Sequence, residues 1–371
     1  MNRAVRMDGN SYLCVMRKSD FLGLLLLAFV IGCRFNVRLA DFYATECYPV
    51  ISRGLSWCAA RVPFSLEEVI VIGFVVTFIG ILVRAIQRKQ GFGRWLGKTA
   101  RVAMWLAVWF YMGWGNNYFR TPLYPRMGIQ RTSFEKEAFG RFLSDYTAAM
   151  NDCAGADKTW DKDALAAEVR TFYTETITDY GYTSLLAWQQ VKKPLLNPLY
   201  SAVGVLGYMG PFFGESQLNL DLPEIEYPFT LAHEMAHLAG VTSEAEANYW
   251  AYVFCRQSED PSVRYSGYIG LLGYAASNAS ALLQDDEYDA WAETLSPEVL
   301  ADYDRIREFW EGKRVKVIDS VQRWMMDLLL RSNNVSEGAR DYFGVIAMIM
   351  TMEAQAAKDA PTPASSSLLS L

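Results

Sequence analysis

The chain contains two histidines in all, His233 and His237, four residues apart with Glu234 between them in the stretch Ala-His-Glu-Met-Ala-His. On a helix, side chains at this spacing project from one face. Two imidazoles can then converge on one metal ion, with the neighbouring carboxylate placed to take a proton from water. Histidines at helical spacing also occur as plain core residues, so the flanking sequence has to decide between the two readings. Pro228 suits the first turn of a helix, and Gly240 suits its left-handed stop. Ser243 and Glu246 then form a capping-box pattern that opens a second helix. A tight reversal of this kind carries the second helix back toward the histidines, and a third ligand is expected near its start.

Glu244 and Glu246 compete for that role. With Ser243 as N-cap, Glu246 is engaged in the cap and Glu244 is left free, so Glu244 is the expected ligand and Glu246 the alternative. Asn248, one turn beyond Glu244, is expected to orient a histidine or the carboxylate. Three protein ligands and one open position describe a catalytic Zn2+ site, one ion per chain. Glu234 is the expected general base, accepting a proton from water and passing it to the leaving amine. Candidates for stabilising the oxyanion are Tyr249, Tyr252, Arg264, Tyr265 and Tyr268, each of which could equally fill the core. The alternating stretch that starts at Gly214, Gly-Glu-Ser-Gln-Leu-Asn-Leu-Asp-Leu, reads as a short strand. It is either an exposed edge able to add a peptide strand or a simple hairpin.

The elements that must position these residues fall into two modules. The 371-residue chain is 51% hydrophobic and 14% aromatic, which implies a membrane part or a very large core. Up to residue 133 there are 17 basic and 6 acidic residues, and after it 18 and 35. The acidic balance of the second part excludes nucleic acid as its partner. Three apolar runs stand in the basic part: Phe21 to Cys33, Val69 to Val83 and Val102 to Gly115. Each is shorter than the roughly 20 residues that span a bilayer, and each can lengthen if flanking basic residues snorkel. Ser65 and Glu68 form a capping box ahead of the second run. Arg17 and Lys18 precede the first run, and six basic residues between Arg84 and Arg101 follow the second without an acid among them. The positive-inside rule then places the N-terminus in the cytoplasm and everything after Trp114 outside. Val-Ile-Gly-Cys at Val30 to Cys33 resembles a lipobox, but the long extension before it and the two later runs argue against lipidation of Cys33.

Helical patterns dominate the outer part. Thr132 and Glu135 form a capping box ahead of a helix to about Met150, Asp161 caps one reaching about Tyr180, and further helices are expected at 261–283, 297–331 and 336–356. Cys47 with Cys58 and Cys153 with Cys255 allow two disulfides outside the membrane, though spacing does not pair them. The expected fold is mainly α. Three transmembrane helices occupy residues 1–118, an α-rich α+β domain with a short edge strand occupies 119–356, and a disordered tail follows at 357–371.

The quoted motif, together with Trp-Gly-Asn-Asn-Tyr-Phe-Arg-Thr-Pro-Leu from Trp114, Gly-Tyr-Met-Gly-Pro-Phe-Phe-Gly from Gly207, Arg264 to Tyr268 and Ser336 to Val345, resembles a bacterial three-pass membrane family of unknown function with a zincin-like signature. The resemblance covers nearly the whole chain and implies a gluzincin-like peptidase in the bacterial cytoplasmic membrane, acting on a peptide or protein substrate. The third ligand of gluzincins stands in a Glu-x-x-x-Asp or Glu-x-x-x-Asn pattern, which Glu244 and Asn248 match. Metzincins diverge at Ser243, where their third histidine would stand. An intramembrane protease is disfavoured by the acids flanking the motif, Asp221, Glu224, Glu226 and Glu244. The alternative from another class is a catalytically silent zinc-binding membrane protein that senses or assembles partners. The presence of Glu234 argues against it, because a structural metal site needs no base.

Overall fold

Helices account for most of the computed structural model, which describes residues 18–89, 91–132, 134–156, 159–333 and 344–359. The N-terminal part contains α1 (Lys18–Phe35), α2 (Val37–Phe42), a π-helical turn leading into α3 (Tyr48–Ala59), α4 (Leu66–Gln87) and α5 (Phe92–Gly113). The three apolar runs thus fall in α1, α4 and α5. Among the described residues only α4 is by itself long and apolar enough to cross a membrane, with a mean hydropathy of 2.7 over its apolar window. A second span results if α1 and the Val37–Ala59 segment, bent by 114° at Asn36, count as one. The charges explain the difference. Lys18, Asp20 and Arg34 lie within α1, and Arg94, Lys98 and Arg101 within α5. Asp20 and Arg101 neutralise each other in a bidentate ion pair of 2.8 and 2.7 Å that joins the two helices. Gly23 lets them approach, since a methyl there would meet Met104.

Ser65 caps α4 as expected, accepting from Glu68 N at 3.1 Å. The reciprocal half of the box is absent, because the Glu68 carboxylate instead accepts from the amides of Leu195 and Leu196. Glu67 accepts from Phe212 N at 2.9 Å. Glu215 accepts from Ser65 Oγ and Glu67 N and pairs with Lys192 at 2.7 Å. Carboxylates gather here because a helix N-terminus presents unpaired amides and the positive end of its dipole. They fasten the only described sheet, the hairpin of β1 (Gly207–Gly210) and β2 (Glu215–Leu218), to the top of α4.

After α5 come α6 (Leu123–Arg126), α7 (Lys136–Cys153), α8 (Lys162–Thr176) and α9 (Asn197–Val203), then the hairpin. Beyond it lie α10 (Tyr227–Leu238), α11 (Glu244–Gln257), α12 (Pro261–Leu282), α13 (Asp285–Ala292), α14 (Pro297–Lys313), α15 (Lys316–Ser332) and α16 (Val345–Asp359). The core centres on α10, α11 and α12, which pack on one another, with α8 against α10, α7 against α12 and α16 against α11. Nearly every residue of α10 is buried, and a helix covered on all sides is held by packing rather than by amphipathicity. Its fully buried Leu231, Met235 and Leu238 each contribute about 1.5–3 kcal/mol of hydrophobic stabilisation. Gly267 and Gly270 allow the close crossings, since methyls there would come within 2.5 Å of Cys255 Cβ and 2.6 Å of Phe229 Cδ1.

Several local expectations change in this context. Glu135 is itself the N-cap of α7 and no side chain caps that helix, so the Thr132 box does not form. Asp161 does cap α8, which ends at Thr176 before a 3-10 turn at Thr178–Tyr180. The long helix expected over 297–331 breaks between Lys313 and Lys316, where Val315 N bonds to Ala202 O at 2.7 Å. Helix α13 was not anticipated. The helix expected at 336–356 is described from Val345 and runs to Asp359, so residues 357–359 of the expected tail are helical; residues 336–343 and 360–371 lie outside the described residues. The two cysteine pairs do not form disulfides: Cys47, Cys58, Cys153 and Cys255 are free thiols. Cys33 is buried within α1.

Candidate metal centre

Helix α10 carries the two histidines and α11 the carboxylate that meets them. Pro228 lies in the first turn of α10, and Ser266 Oγ of α12 accepts from Phe229 N at 3.1 Å, satisfying one of the free amides there. The helix stops at Gly240, whose φ of +96° is open to glycine at little cost. The carbonyls left over at this end are taken up by distant groups. Trp114 Nε1 donates to His237 O at 2.9 Å, Tyr48 OH to Leu238 O at 2.8 Å and Thr183 N to Ala239 O at 2.9 Å. The basic N-terminal module therefore braces the motif helix directly. Ser243 caps α11, accepting from Glu246 N at 3.3 Å, and this sets Glu244 on the first turn facing back to α10.

His233 Nε2 and His237 Nε2 are 3.1 Å apart, and Glu244 Oε2 lies 3.2 Å from the first and 3.6 Å from the second. These three side chains form the one group of potential metal ligands found among the described residues. A tetrahedral ion with bonds of about 2.0–2.1 Å requires ligand atoms about 3.3 Å apart, and the three separations bracket that value. The far ring nitrogens agree: His233 Nδ1 faces Asn248 Oδ1 and His237 Nδ1 faces the Val241 carbonyl, each at 2.8 Å. Both partners are acceptors, so both Nδ1 atoms donate and both Nε2 atoms face inward, where either a proton or a metal ion can bind.

The electrostatics suit a cation. Burial raises the Glu244 carboxyl, but His237 and His233 outweigh it and hold the carboxyl well below the usual range. Burial disfavours a charged His237, yet Glu244 and Glu234 prevail and raise its pKa to about 9. Glu234 is raised by burial first, with the two histidines opposing and Glu244 adding to it. Its carboxylate lies against β1, where a methyl on Gly207 would come 2.5 Å from Glu234 Cγ and 2.6 Å from Oε1. Glycine at 207 is what leaves room for this carboxylate.

Glu246 is placed elsewhere. Its carboxylate accepts from Leu123 N at 3.3 Å and from Tyr182 OH, and lies 3.6 Å from Arg126. It is tied to α6 and the loop after α8, neither as a ligand nor as the returning arm of the capping box. The five residues considered for the oxyanion have other partners. Arg264 donates to Ser258 O and Glu259 O beyond the end of α11. Tyr265 OH bonds to Asp302, and Tyr268 packs edge-on against Tyr146 and Tyr252. Tyr249 packs on Trp250, and Tyr252 lies beneath Arg256.

The tyrosines in the field of the site are different ones. Tyr274 of α12 is pushed up to about 12 by burial and by Glu244, with Asn248 opposing. Tyr200 and Tyr208, whose rings are 6.4 Å apart, are raised by burial and by several carboxylates that include Glu234. The Tyr200 hydroxyl donates to Gln217 Oε1 at 3.1 Å. The only sequence signal for these tyrosines is Gly207-Tyr208 opening a glycine-flanked stretch ahead of the motif. Strand β2, readable from sequence as either an exposed edge or a simple hairpin, is buried throughout, paired with β1 on one side and bridged to Lys192 at Gln217 on the other. It is the hairpin of the second reading, and among the described strands β1 has the open edge.

No curated protein and no solved structure matches the chain. A family model does match it over residues 43–350, and on that extent the chain belongs to the family described as protein of unknown function (DUF3810).

Proposed function

We propose that this protein is a membrane-anchored, zinc-dependent peptidase with a gluzincin-like site. The observation that carries the reading is the convergence of His233 Nε2, His237 Nε2 and Glu244 Oε2, with the buried carboxylate of Glu234 adjoining on the same helix. His233, His237 and Glu244 would hold the zinc ion, which would supply Lewis acidity toward a peptide carbonyl and toward water. Asn248 and the Val241 carbonyl keep both rings in the tautomer that ligates. Glu234, its proton affinity raised by burial, takes a proton from water at its carboxylate oxygen and delivers it to the departing amine nitrogen. Tyr274 and Tyr208, which interact electrostatically with Glu244 and Glu234 respectively, are the proposed neutral donors. The Gly207–Gly210 edge is where an extended peptide would add as a strand.

The anchor in this proposal is α4, with α1 and α5 as further crossings whose Asp20–Arg101 pair removes two charges from the lipid. The basic loop between α4 and α5 stays in the cytoplasm, and the zincin-like domain lies on the opposite side. The test is metal analysis of the full-length protein in detergent, with a peptide-library screen run with and without chelator. One zinc per chain and chelator-sensitive cleavage are expected, with Glu234→Gln keeping the metal and losing cleavage by ~10²–10⁴-fold. Protein that takes up no zinc under any loading condition would refute the reading. Zinc retained without cleavage of any peptide would favour the silent, partner-sensing alternative.

A further inference from the structure

Helix α15 leaves a wide apolar face uncovered. Val317, Ile318, Val321, Trp324, Met325 and Leu328 are 41–76% exposed. Their spacing of three and four residues puts them on one arc of the helix. The opposite arc is seated on the protein through buried Asp319 and Leu330. The charged residues Arg323 and Arg331 lie outside the apolar arc and pair with Asp319 and Asp327 at 2.9 and 2.7 Å. A helix with an uncharged apolar arc of this width, a tryptophan on that arc and ion pairs outside it has the composition of one that lies in the plane of a membrane interface.

Its attachment gives the level at which it lies. At its C-terminal end, Arg34 of α1 donates to Ser332 O at 2.7 Å and Tyr111 of α5 bonds to Asn333 at 2.9 Å. At its other end α15 packs on α9. The segment entering α9 exposes Leu195, Leu196 and Leu199 and is held by Glu68 in the first turn of α4. The end of α1, the start of α4 and the end of α5 share one side of the membrane if these helices cross it. The exposed faces of α15 and of 195–199 are therefore fastened to the same rim.

We infer that α15, with residues 195–199, is an in-plane anchor whose apolar arc is seated in the lipid interface around the outer ends of α1, α4 and α5. Tyr200, which follows Leu199, has its ring 6.4 Å from that of Tyr208 on β1, and the adjacent Gly207 lies against Glu234, so the anchor is joined to the proposed metal centre through β1 and holds it near the lipid surface. Resting on the peptidase reading, this makes membrane-proximal polypeptide the substrate class. The anchor itself is tested without reference to catalysis.

The experiment places nitroxides on full-length protein in lipid nanodiscs through Val321→Cys and Met325→Cys on the arc, Ser320→Cys and Arg323→Cys off it, and Val76→Cys in α4. Wild-type protein labelled in the same way sets the background from native cysteines. Expected is an oxygen-to-nickel-chelate collision ratio severalfold higher at 321 and 325 than at 320 and 323, approaching that at 76. Equal, water-like ratios at all four α15 positions overturn the inference. Exclusion of both reagents at 321 and 325 also overturns it and marks a protein partner or a second copy on this face. A water-like Val76 would overturn the membrane reading of α4 as well, while the zinc and cleavage measurements address the peptidase reading separately.

Discussion

If Glu234 is the base of a zinc centre, as proposed, replacing Gly207 by alanine should impair the base and spare the metal. The added methyl would lie 2.5 Å from Glu234 Cγ and 2.6 Å from Oε1. Carbon atoms need about 3.5 Å, so the carboxylate or the strand must retreat by about 1 Å. The backbone of α10 is packed on every side and β1 is paired along its length with β2, so the Glu234 side chain is the softest element and moves first. A misplacement of about 1 Å at a reacting group costs ~10²-fold in rate, which is about 2.7 kcal/mol. The overpacking itself should cost about 1–3 kcal/mol of stability. His233, His237 and Glu244 are untouched by the methyl, so zinc content should hold at wild-type stoichiometry. The assay measures metal content, cleavage rate and thermal unfolding on one preparation of Gly207→Ala. Glu234→Asp serves as a second background, in which the shorter acid escapes the methyl and the two losses become non-additive. Cleavage at the wild-type rate, or loss of the metal with the base still in place, would refute the steric argument.

Asn248→Ala removes the acceptor that fixes the His233 ring and should weaken zinc binding by ~10–100-fold in a competition titration, while Asn248→Asp should retain most of it. Glu244→Ala should abolish stoichiometric zinc; Glu246→Ala should keep it but destabilise the fold by about 3–5 kcal/mol, because Arg126 and the Leu123 amide lose a buried partner. The reverse pattern of zinc loss would show that the ligand was misassigned. Glu226, bonded to Trp310 Nε1 at 2.8 Å, is raised by burial to about 7, with Trp310 and Arg314 opposing. Its folded pKa exceeds its unfolded one, so the native state binds the extra proton: its favourable contribution is complete below about pH 4.5 and disappears as pH rises through about 7. Glu226→Gln should therefore raise the stability at pH 8 by roughly 2–3 kcal/mol relative to wild type and flatten the slope between pH 5 and 8. Thermal unfolding across that range checks it, and an unchanged slope would count against the assignment.

Much of the site was legible because the signals are local. A His-Glu-x-x-His spacing, a proline in a first turn, a serine N-cap and a glycine stop act within one or two helical turns, and α10 and α11 begin and end where these residues stand. The choice of Glu244 over Glu246 followed from the same cap, since Ser243 sets which carboxylate faces the histidines. The reason expected for Glu246 was nevertheless wrong. It does not reach back to the cap but buries its charge against Tyr182 and Arg126. The apolar run of α4 was equally plain, whereas the charges in α1 and α5 find their compensation only across the interface between those helices.

From its sequence alone, then, the chain determines which side chains can ligate, where the two motif helices start and stop, and which segment is long and apolar enough to cross a membrane. These properties depend on residues a few positions apart. Tertiary structure decides what completes the centre. Gly207 makes room for Glu234, and Trp114 and Tyr48 reach across 123 and 190 residues to the carbonyls that end the motif helix. Those carbonyls are left unpaired by the helix itself and must be satisfied once buried. No local rule names the donor, because whichever distant group the packing brings within about 3 Å will serve.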